Sequence, residues 1–288
     1  MKAIDMRCRP PLPSMLESSL YDTQYAAKFS HKFGGSNIAT SAQQKSLPIL
    51  LDEMKACNIV KAVYEVCSPT AYDTNAEAQT FLQQYGQHFV AMVGTDITNI
   101  PASCDNIEYY HHVNGFVGVN LDPGSPALNE KSIFLDNETL FPIFQLCQDH
   151  DLPITIAFGG YAYPDATAYL PIRIENIIRT FPKLRLCFCH GVWPYTAQAC
   201  GLALQYSNIY LSPDSYLMEM PSAQDYVLGA NYLIPEQILF GTSYPFHAQN
   251  RVYNYYLNVG FSSIALPKVL YENALHFLKL DTTLQPNA

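Results

Sequence analysis

The amino-acid sequence predicts a single-domain (β/α)₈ barrel, the TIM-barrel fold, with a long loop after the first strand. Short apolar runs alternate with amphipathic stretches along the chain, a pattern typical of parallel strands joined by crossover helices. Eight of these runs fit strands, which is the number that closes this barrel. The chain has 288 residues, 49% of them hydrophobic, and this suffices for one core of that size. We therefore expect residues 1–288 to form one domain.

The predicted strands are residues 3–8, 59–66, 89–94, 115–121, 153–158, 184–190, 209–212 and 238–241. Apolar residues at helical spacing lie between several of them. They are Leu47, Leu50, Leu51 and Met54, then Leu140, Ile143, Phe144 and Cys147, then Ile174, Ile177, Ile178 and Phe181, with a closing helix at Leu270, Ala274, Phe277 and Leu278. A doubly wound open sheet is the alternative. No Gly-rich phosphate loop follows the first strand, which favours the barrel.

The segment 10–45 interrupts this alternation. It contains Pro10, Pro11, Pro13, Gly34, Gly35 and many polar residues. Loops longer than about 15 residues are usually functional or disordered. Because the segment follows the first strand, it would lie over the carboxyl end of the barrel, where active sites are built. We expect a lid there, and a partly ordered surface excursion is the alternative.

Composition restricts the partners and the location. Lys and Arg total 16 against 25 Asp and Glu, and the net charge of -9 disfavours nucleic acid and anionic lipid. No run reaches the roughly 18 to 20 apolar residues of a membrane span, and Asp5 interrupts the apolar stretch that a secretion signal would need. These features predict a cytoplasmic protein that binds a small-molecule substrate. The 21 tyrosines could supply contacts in a homo-oligomer.

The eight cysteines form no CxxC pair, and most lie inside apolar segments. This distribution predicts reduced core residues and not a disulfide framework. Cys187 and Cys189 flank Phe188 on a predicted strand and would share one face. A soft-metal pair is conceivable there, but ordinary packing is favoured.

Four segments carry a family resemblance. They are residues 4–9 (IDMRCR), 189–194 (CHGVWP), 241–246 (GTSYPF) and 271–275 (YENAL). Each is short, but their order and their positions relative to the predicted strands fit one pattern. Together they resemble the amidohydrolase-related family, the amidohydrolase 2 branch of the metal-dependent hydrolases. The resemblance implies a (β/α)₈ barrel with its site at the strand ends.

In that family, histidines and an aspartate at strand ends bind a metal. The resemblance places Arg7 and Arg9 at the first-strand histidines, Ala157 at the fifth-strand histidine and Ser243 at the eighth-strand aspartate. Only His190 keeps the family residue. Because a guanidinium has no lone pair to offer a cation, we expect no metal ligands and no cofactor. The alternative is one divalent metal such as zinc, bound by His190, His247 and a carboxylate such as Glu65 or Asp214.

Arg7 and Arg9 are two residues apart on a strand, so both side chains should point into the barrel mouth, with Asp5 one layer deeper. Two guanidinium groups suit a substrate carboxylate or oxyanion. The alternative is that Asp5 and another acidic neighbour neutralise them in a buried ion network. We predict that Arg7 and Arg9 bind the substrate.

His190 is the predicted general acid or base, because imidazole titrates near neutral pH. A hydrogen-bonded packing role is the alternative. The carboxylates Asp214 and Glu65 are the predicted catalytic partners, and the sequence does not rank them. Further expected substrate contacts are Trp193 as an aromatic wall, and Asn120, Ser243 and Tyr244 as polar groups. Ser243 lacks the surroundings of a nucleophile elbow, so a polar contact is favoured over nucleophilic attack.

These residues predict a metal-independent hydrolase that acts on a small carboxylated or phenolic compound. A decarboxylase-type lyase with a rebuilt metal site is one alternative. A catalytically inactive barrel that binds a small anion or a partner protein is another. The substrate itself depends on loop side chains and cannot be read from the fold.

Overall fold

Seven parallel strands form the centre of the molecule in a computed structural model that describes residues 1–22, 24, 38–67, 74–123, 133–160 and 165–280. The strands follow chain order, and each pairs with the next. They are β1 (Ala3–Cys8), β2 (Ile59–Glu65), β3 (Phe89–Gly94), β4 (Phe116–Leu121), β5 (Ile154–Ala157), β6 (Leu186–Cys189) and β7 (Ile209–Ser212). Each lies within the corresponding predicted run, so seven of the eight predicted strands are confirmed.

The eighth predicted strand, residues 238–241, is a bridging segment and not a regular strand. Ile238 pairs with Leu211 of β7, and Tyr244 pairs with Cys8 of β1, each as an isolated parallel bridge. The amide of Met6 donates a hydrogen bond to the carbonyl of Phe240 (3.0 Å). The ladder is interrupted where the amide of Phe240 donates to the carbonyl of Val269 (3.0 Å) instead of to a strand. Since the segment bonds to both β1 and β7, it nearly closes the ring, and the predicted barrel is confirmed.

Helices cover the outside of this sheet. The described helices are α1 (Pro13–Leu16), α2 (Thr40–Gln43), α3 (Leu47–Ala56), α4 (Thr74–Tyr85), α5 (Ile100–Tyr110), α6 (Phe141–Asp149), α7 (Pro171–Thr180), α8 (Thr196–Gln205), α9 (Gln224–Tyr232), α10 (Gln249–Asn258), α11 (Ala265–Pro267) and α12 (Asn273–Leu278), and a π-helical turn, Lys268–Glu272, joins the last two. The apolar positions of the first three predicted helices lie in or against the core between the helices and the strands, as predicted. The closing helix was expected to cover the outside of the barrel, but its Ala274, Phe277 and Leu278 pack with side chains of the barrel interior. In the part of the chain described, no helix is both long and apolar enough to cross a bilayer.

The core has two parts. The larger lies between the sheet and the helices, and side chains such as Phe144 and Ile156 are fully buried there. The smaller fills the barrel interior with Ile4, Met6 and Val63 among others. Phe277 of α12 packs on Tyr210 with ring centroids 4.9 Å apart, at the end where β7 begins. The amino-terminal end of the barrel is therefore filled with side chains, which leaves the carboxyl end for a site.

Part of the predicted lid, residues 10–45, is described and packs on the barrel. The hydroxyl of Tyr21 donates to the carbonyl of Arg9 (2.7 Å). The hydroxyls of Ser41 and Tyr244 lie 2.9 Å apart. Residues 23 and 25–37 of the predicted lid lie outside the described residues. The lid function stays a prediction.

All eight cysteines are free thiols. Cys187 and Cys189 are both buried on β6. Burial raises the pKa of the Cys187 thiol well above its ordinary value, which keeps it protonated. Six of the eight are buried, in agreement with the predicted core positions.

Candidate functional site

The carboxyl ends of the strands bring most of the predicted polar residues together. Arg7 lies near the end of β1, Glu65 ends β2, and Asn120 lies near the end of β4. All three are buried, at 4%, 0% and 3% exposure. His190 follows β6 and Asp214 follows β7 in short 3₁₀ turns. Because parallel strands end at one rim, residues distant in sequence meet there.

Arg7, His190 and Asp214 form the centre of the site. Asp214 Oδ2 accepts a hydrogen bond from the backbone N–H of His190 (3.0 Å) and lies 2.9 Å from its Nδ1. Nδ1 has no aligned hydrogen bond among the described residues, so this second contact is a close approach without hydrogen-bond geometry. On the other side of the imidazole, Arg7 Nη2 lies 3.4 Å from Nε2. Arg7 Nε lies 3.8 Å from Asp214 Oδ2. We call these three residues the central triad.

Unusual backbone conformations position this triad. His190 and Asp214 both have positive φ, at 65° and 47°. Such conformations are uncommon for residues other than glycine and tend to cluster at functional sites. Gly159 lies so close to His190 that an added Cβ would be 2.4 Å from the His190 Cβ. The loop after β5 therefore limits where the imidazole can lie.

Burial and charge set the ionisation of the triad in opposite directions. Burial opposes ionisation of Asp214, but the attraction of His190 and Arg7 and the hydrogen bond from the backbone N–H of His190 lower its pKa overall. Burial lowers the pKa of His190, and the positive charge of Arg7 lowers it further, while Asp214 partly counters both. At neutral pH the site therefore holds a carboxylate beside a neutral imidazole. That combination is suited to accepting a proton.

A histidine titration can test this ionisation. We expect the His190 imidazole to be neutral at pH 7 and to take a proton only as the pH falls below its ordinary pKa of 6.5. The unfolded chain binds that proton more readily, so the contribution of His190 to stability is present above pH 6.5 and is lost as the pH falls below it. NMR of ring-labelled histidine, with His190→Gln to assign the signal, measures the titration. A midpoint above 6.5 would contradict the expectation.

Glu65 and Arg9 lie beside the central triad. Thr155 on β5 donates its hydroxyl hydrogen to Glu65 Oε2 (2.8 Å), and Oε1 has no hydrogen-bond partner among the described residues. Burial raises the pKa of Glu65, although attraction to Arg7 and Arg9 partly offsets this. Arg9 Nε donates to Cys67 Sγ (3.2 Å). Both arginines thus lie near one buried carboxyl group at the barrel mouth.

Asp5 does not lie beneath the arginines, contrary to expectation. Its carboxylate accepts hydrogen bonds from Thr242, from Gln249 of α10 and from the backbone N–H of Arg7. The interior contains Ile4 and Met6 instead. The pairing of β1 with β2 shifts register between Asp5 and Cys8. Such a bulge changes which face a side chain takes, and this explains how Arg7 turns inward while Asp5 does not.

The remaining predicted contacts differ in position. Asn120 Nδ2 donates to the carbonyl of Val66 (2.9 Å), and its Oδ1 has no hydrogen-bond partner in the described chain. Ser243 accepts a hydrogen bond from Ser215 (3.3 Å), which places it beside Asp214. Trp193 is partly exposed, and its indole N–H donates to the carbonyl of Pro221 (3.0 Å). Tyr244 is fully buried in the outer core, with its hydroxyl on Ser41.

Two neighbours of the triad were not predicted. The Tyr216 ring lies against His190, with centroids 4.7 Å apart. Thr155 holds Glu65, as described above. Thr155 could have been found, because it is two residues before Ala157 on β5 and so shares its face. Tyr216 carries no such signal, since a turn after β7 sets its position.

Solved structures similar to this chain share its architecture. An uncharacterised TIM-barrel protein from Bordetella bronchiseptica is 28% identical, covers 97% of this chain and 99% of its own, and superposes with a TM-score of 0.88. A 2,6-dihydroxybenzoate decarboxylase from Rhizobium is 13% identical, with 98% and 99% covered and a TM-score of 0.73. No curated protein sequence matches the chain.

A third similar structure bears on the metal. It is 5-carboxyvanillate decarboxylase from Novosphingobium aromaticivorans in complex with manganese and 4-hydroxy-3-methoxy-5-nitrobenzoic acid, at 14% identity, 97% and 96% coverage and a TM-score of 0.69. The described part of our chain also contains a group of possible ligands, Glu108, His111 and His150. The expectation of a protein without a metal cofactor is therefore wrong. That expectation considered only the residues at the barrel mouth.

The barrel mouth itself does not offer a set of ligands. Arg7 and Arg9 have no lone pairs to donate, and the Ala157 methyl has none either. His190 Nε2, the nitrogen that faces away from Asp214, lies against a guanidinium. A cation placed there would meet the fixed positive charge of Arg7. We therefore assign no chemical step at the mouth to a metal.

The family model described as amidohydrolase matches residues 30–280. This range is most of the 288-residue chain. It includes three of the four segments that carry the resemblance, at residues 189–194, 241–246 and 271–275. The first segment, residues 4–9, precedes the matched range. The chain belongs to the amidohydrolase family.

Proposed function

We propose that this enzyme hydrolyses a small carboxylated or phenolic compound. Arg7 and Arg9 bind the anionic group, and His190 transfers the proton. The observation that carries the proposal is the central triad, in which a neutral imidazole lies between a buried carboxylate and a guanidinium. Such an arrangement at strand ends of a barrel favours acid–base catalysis on a bound anion.

Anion binding is assigned to Arg7 and Arg9 because both are buried and fixed. Arg7 Nη1 has no hydrogen-bond partner among the described residues. A buried donor without a partner is costly, and a substrate carboxylate or phenolate would supply the missing acceptor. The Glu65 carboxyl group beside them partly offsets their mutual repulsion. We propose that Glu65 positions the two arginines.

Proton transfer is assigned to His190, with Asp214 as the positioning residue. Asp214 beside Nδ1 favours the tautomer with its proton on Nδ1, so the lone pair lies on Nε2, where Arg7 Nη2 is its neighbour at 3.4 Å. Nε2 takes a proton from water as the water oxygen attacks the substrate acyl carbon. The developing oxyanion is stabilised by the guanidinium beside Nε2. His190 then returns the proton to the leaving oxygen or nitrogen as its bond to carbon breaks.

Trp193, Asn120 and Ser243 are proposed to shape the substrate pocket. Trp193 is partly exposed near the His190 turn, and its ring lies 5.9 Å from that of Tyr216, centroid to centroid. Oδ1 of Asn120, which has no hydrogen-bond partner among the described residues, would accept a hydrogen bond from a substrate hydroxyl. Tyr244 is a weaker candidate because it is fully buried in the outer core.

Decarboxylation is the second candidate reaction. Two similar structures are decarboxylases of hydroxylated benzoates, and this favours a related substrate class here. In that reaction a protonated His190 would donate its proton to the ring carbon, the bond to the carboxylate carbon would break, and CO₂ would leave. Because the pKa of His190 is lowered, little of the imidazole is protonated at pH 7. This favours hydrolysis over decarboxylation.

A substrate screen tests the proposal. We expect turnover of at least one ester, lactone or amide of a hydroxylated benzoate, detected by chromatography of the products with and without added Mn²⁺. Release of CO₂ from a free hydroxybenzoate would support the second candidate. Binding of benzoates in thermal-shift assays without any turnover would contradict both and favour the inactive barrel.

Size-exclusion chromatography of the same sample tests the predicted homo-oligomer.

A further inference from the structure

A second cluster of chemically active side chains lies far from the barrel mouth. Glu108 is in the last turn of α5, and His111 directly follows that helix. His150 directly follows α6. The candidate ligand atoms of these three residues lie within 4.8 Å of one another. Nothing in the proposed reaction uses them.

The spacing within the cluster fits a tetrahedral ion. Glu108 Oε1 and His150 Nε2 are 3.2 Å apart. Bonds of about 2.0–2.1 Å at the tetrahedral angle place two ligand atoms of a zinc ion about 3.3 Å apart. The widest pair would have to close by at most about 1.5 Å to reach that spacing. Glu108 and His150 are exposed, so rotation of their side chains can supply this movement.

The hydrogen bond of His111 also favours metal binding. Its Nδ1 lies 2.9 Å from the carbonyl of Ile107. A carbonyl accepts hydrogen bonds, so Nδ1 carries the proton and Nε2 keeps its lone pair. Metal-binding histidines commonly use their second ring nitrogen in this way. The His112 ring packs against His111, with centroids 3.6 Å apart, and restricts its rotation.

Negative charge around the cluster favours the binding of a cation. His111 and His150 each cap the carboxyl end of a helix, where the helix dipole is negative. Glu108 adds a full negative charge. The same ends lead into β4 and β5, so the cluster lies at the opposite end of the barrel from His190. An ion there would link two neighbouring crossover helices and would not reach the reacting groups.

We propose that Glu108, His111 and His150 bind a zinc-type divalent ion that joins α5 to α6. Two imidazoles and one carboxylate are ligands that zinc accepts, and water completes the fourth position. The ion binds the folded chain and not the unfolded one, so it stabilises the fold. This site is independent of the proposed reaction.

The test uses the full-length protein without an affinity tag. After treatment with a chelator and dialysis against ZnCl₂, elemental analysis should find one more zinc ion per chain than in a His111→Ala/His150→Ala double variant. In the single variants His111→Ala and His150→Ala, the affinity for zinc should fall at least about tenfold. ZnCl₂ should raise the Tm of the wild-type protein and not that of the double variant.

Two controls separate this site from others. His276→Ala removes an exposed histidine on α12 and should leave zinc binding unchanged. His190→Gln should also leave it unchanged, because His190 lies at the other end of the barrel. Equal zinc retention by the wild-type protein and the double variant would overturn the proposal. Loss of the bound zinc in His190→Gln alone would assign it to the barrel mouth and overturn it as well.

Discussion

A His190→Gln variant is expected to lose turnover by about 10²–10⁴-fold at pH 7, the range that a general acid or base typically contributes. Glutamine keeps a polar side chain of similar reach but cannot exchange a proton near neutral pH. The backbone N–H of residue 190 still donates to Asp214, so the turn after β6 should persist. Measured kcat on the substrate found by the screen gives the effect, and circular dichroism gives the fold.

The matched control for this variant is His276→Gln. His276 is exposed on α12, away from the strand ends that carry the triad, and its loss should leave kcat within experimental error. Full activity in His190→Gln would remove this residue from the mechanism. Equal losses in both variants would point to a general effect on the protein instead of a chemical role.

The barrel could be predicted because most of its information is local. Buried strands such as β3 and β6 are apolar runs of the right length, and helices such as α6 repeat apolar residues every three or four positions. The eighth position was less predictable. Residues 238–241 have the composition of a strand, but the amide of Phe240 donates to the carbonyl of Val269, and only isolated bridges form. A hydrogen bond of this kind depends on how distant segments pack and cannot be read from one sequence.

The residues of the site also differ in how well the sequence predicts them. A short motif marks His190, strand periodicity and the family resemblance mark Arg7, and a position at a strand end marks Glu65. Asp214 could be named only as one of two carboxylates, because its contact with His190 depends on how two turns pack. The direction of Asp5 could not be foreseen, since a register shift against β2 decides it.

The metal expectation failed for a related reason. The family's metal ligands lie at the strand ends, and the residues of this chain at those positions are no longer ligands. Glu108 and His111 are three residues apart at the end of a helix, which puts them on one face. His150 is about 40 residues further along, and only the packing of α5 beside α6 brings it near. A ligand group of that kind is visible in a structure and hidden in a sequence.

An Arg7→Met variant is expected to lower the free energy of unfolding by about 2–3 kcal/mol. Removing one partner of a buried ion pair typically costs about 3–5 kcal/mol, because the other charge is left buried and uncompensated. The side chains of Arg7 and Asp214 are 5% and 0% exposed, so solvent screens them little. The cost should fall below that range because their closest atoms are 3.8 Å apart and His190 still contacts Asp214. Urea denaturation at pH 7 measures the change.

The double variant Arg7→Met/Asp214→Asn separates charge from packing. If the cost arises from an unpaired carboxylate, making residue 214 neutral should recover much of the lost stability, and the effects of the two changes should not add. If methionine simply packs poorly, the double variant should be at least as unstable as Arg7→Met.

The variant Arg7→Lys tests the role of Arg7 in substrate binding. Lysine keeps the positive charge but lacks the planar guanidinium, so KM should rise while stability changes less than in Arg7→Met. An unchanged KM in Arg7→Lys, together with additive stability effects in the double variant, would leave Arg7 as a packing residue and remove the anion-binding half of the mechanism.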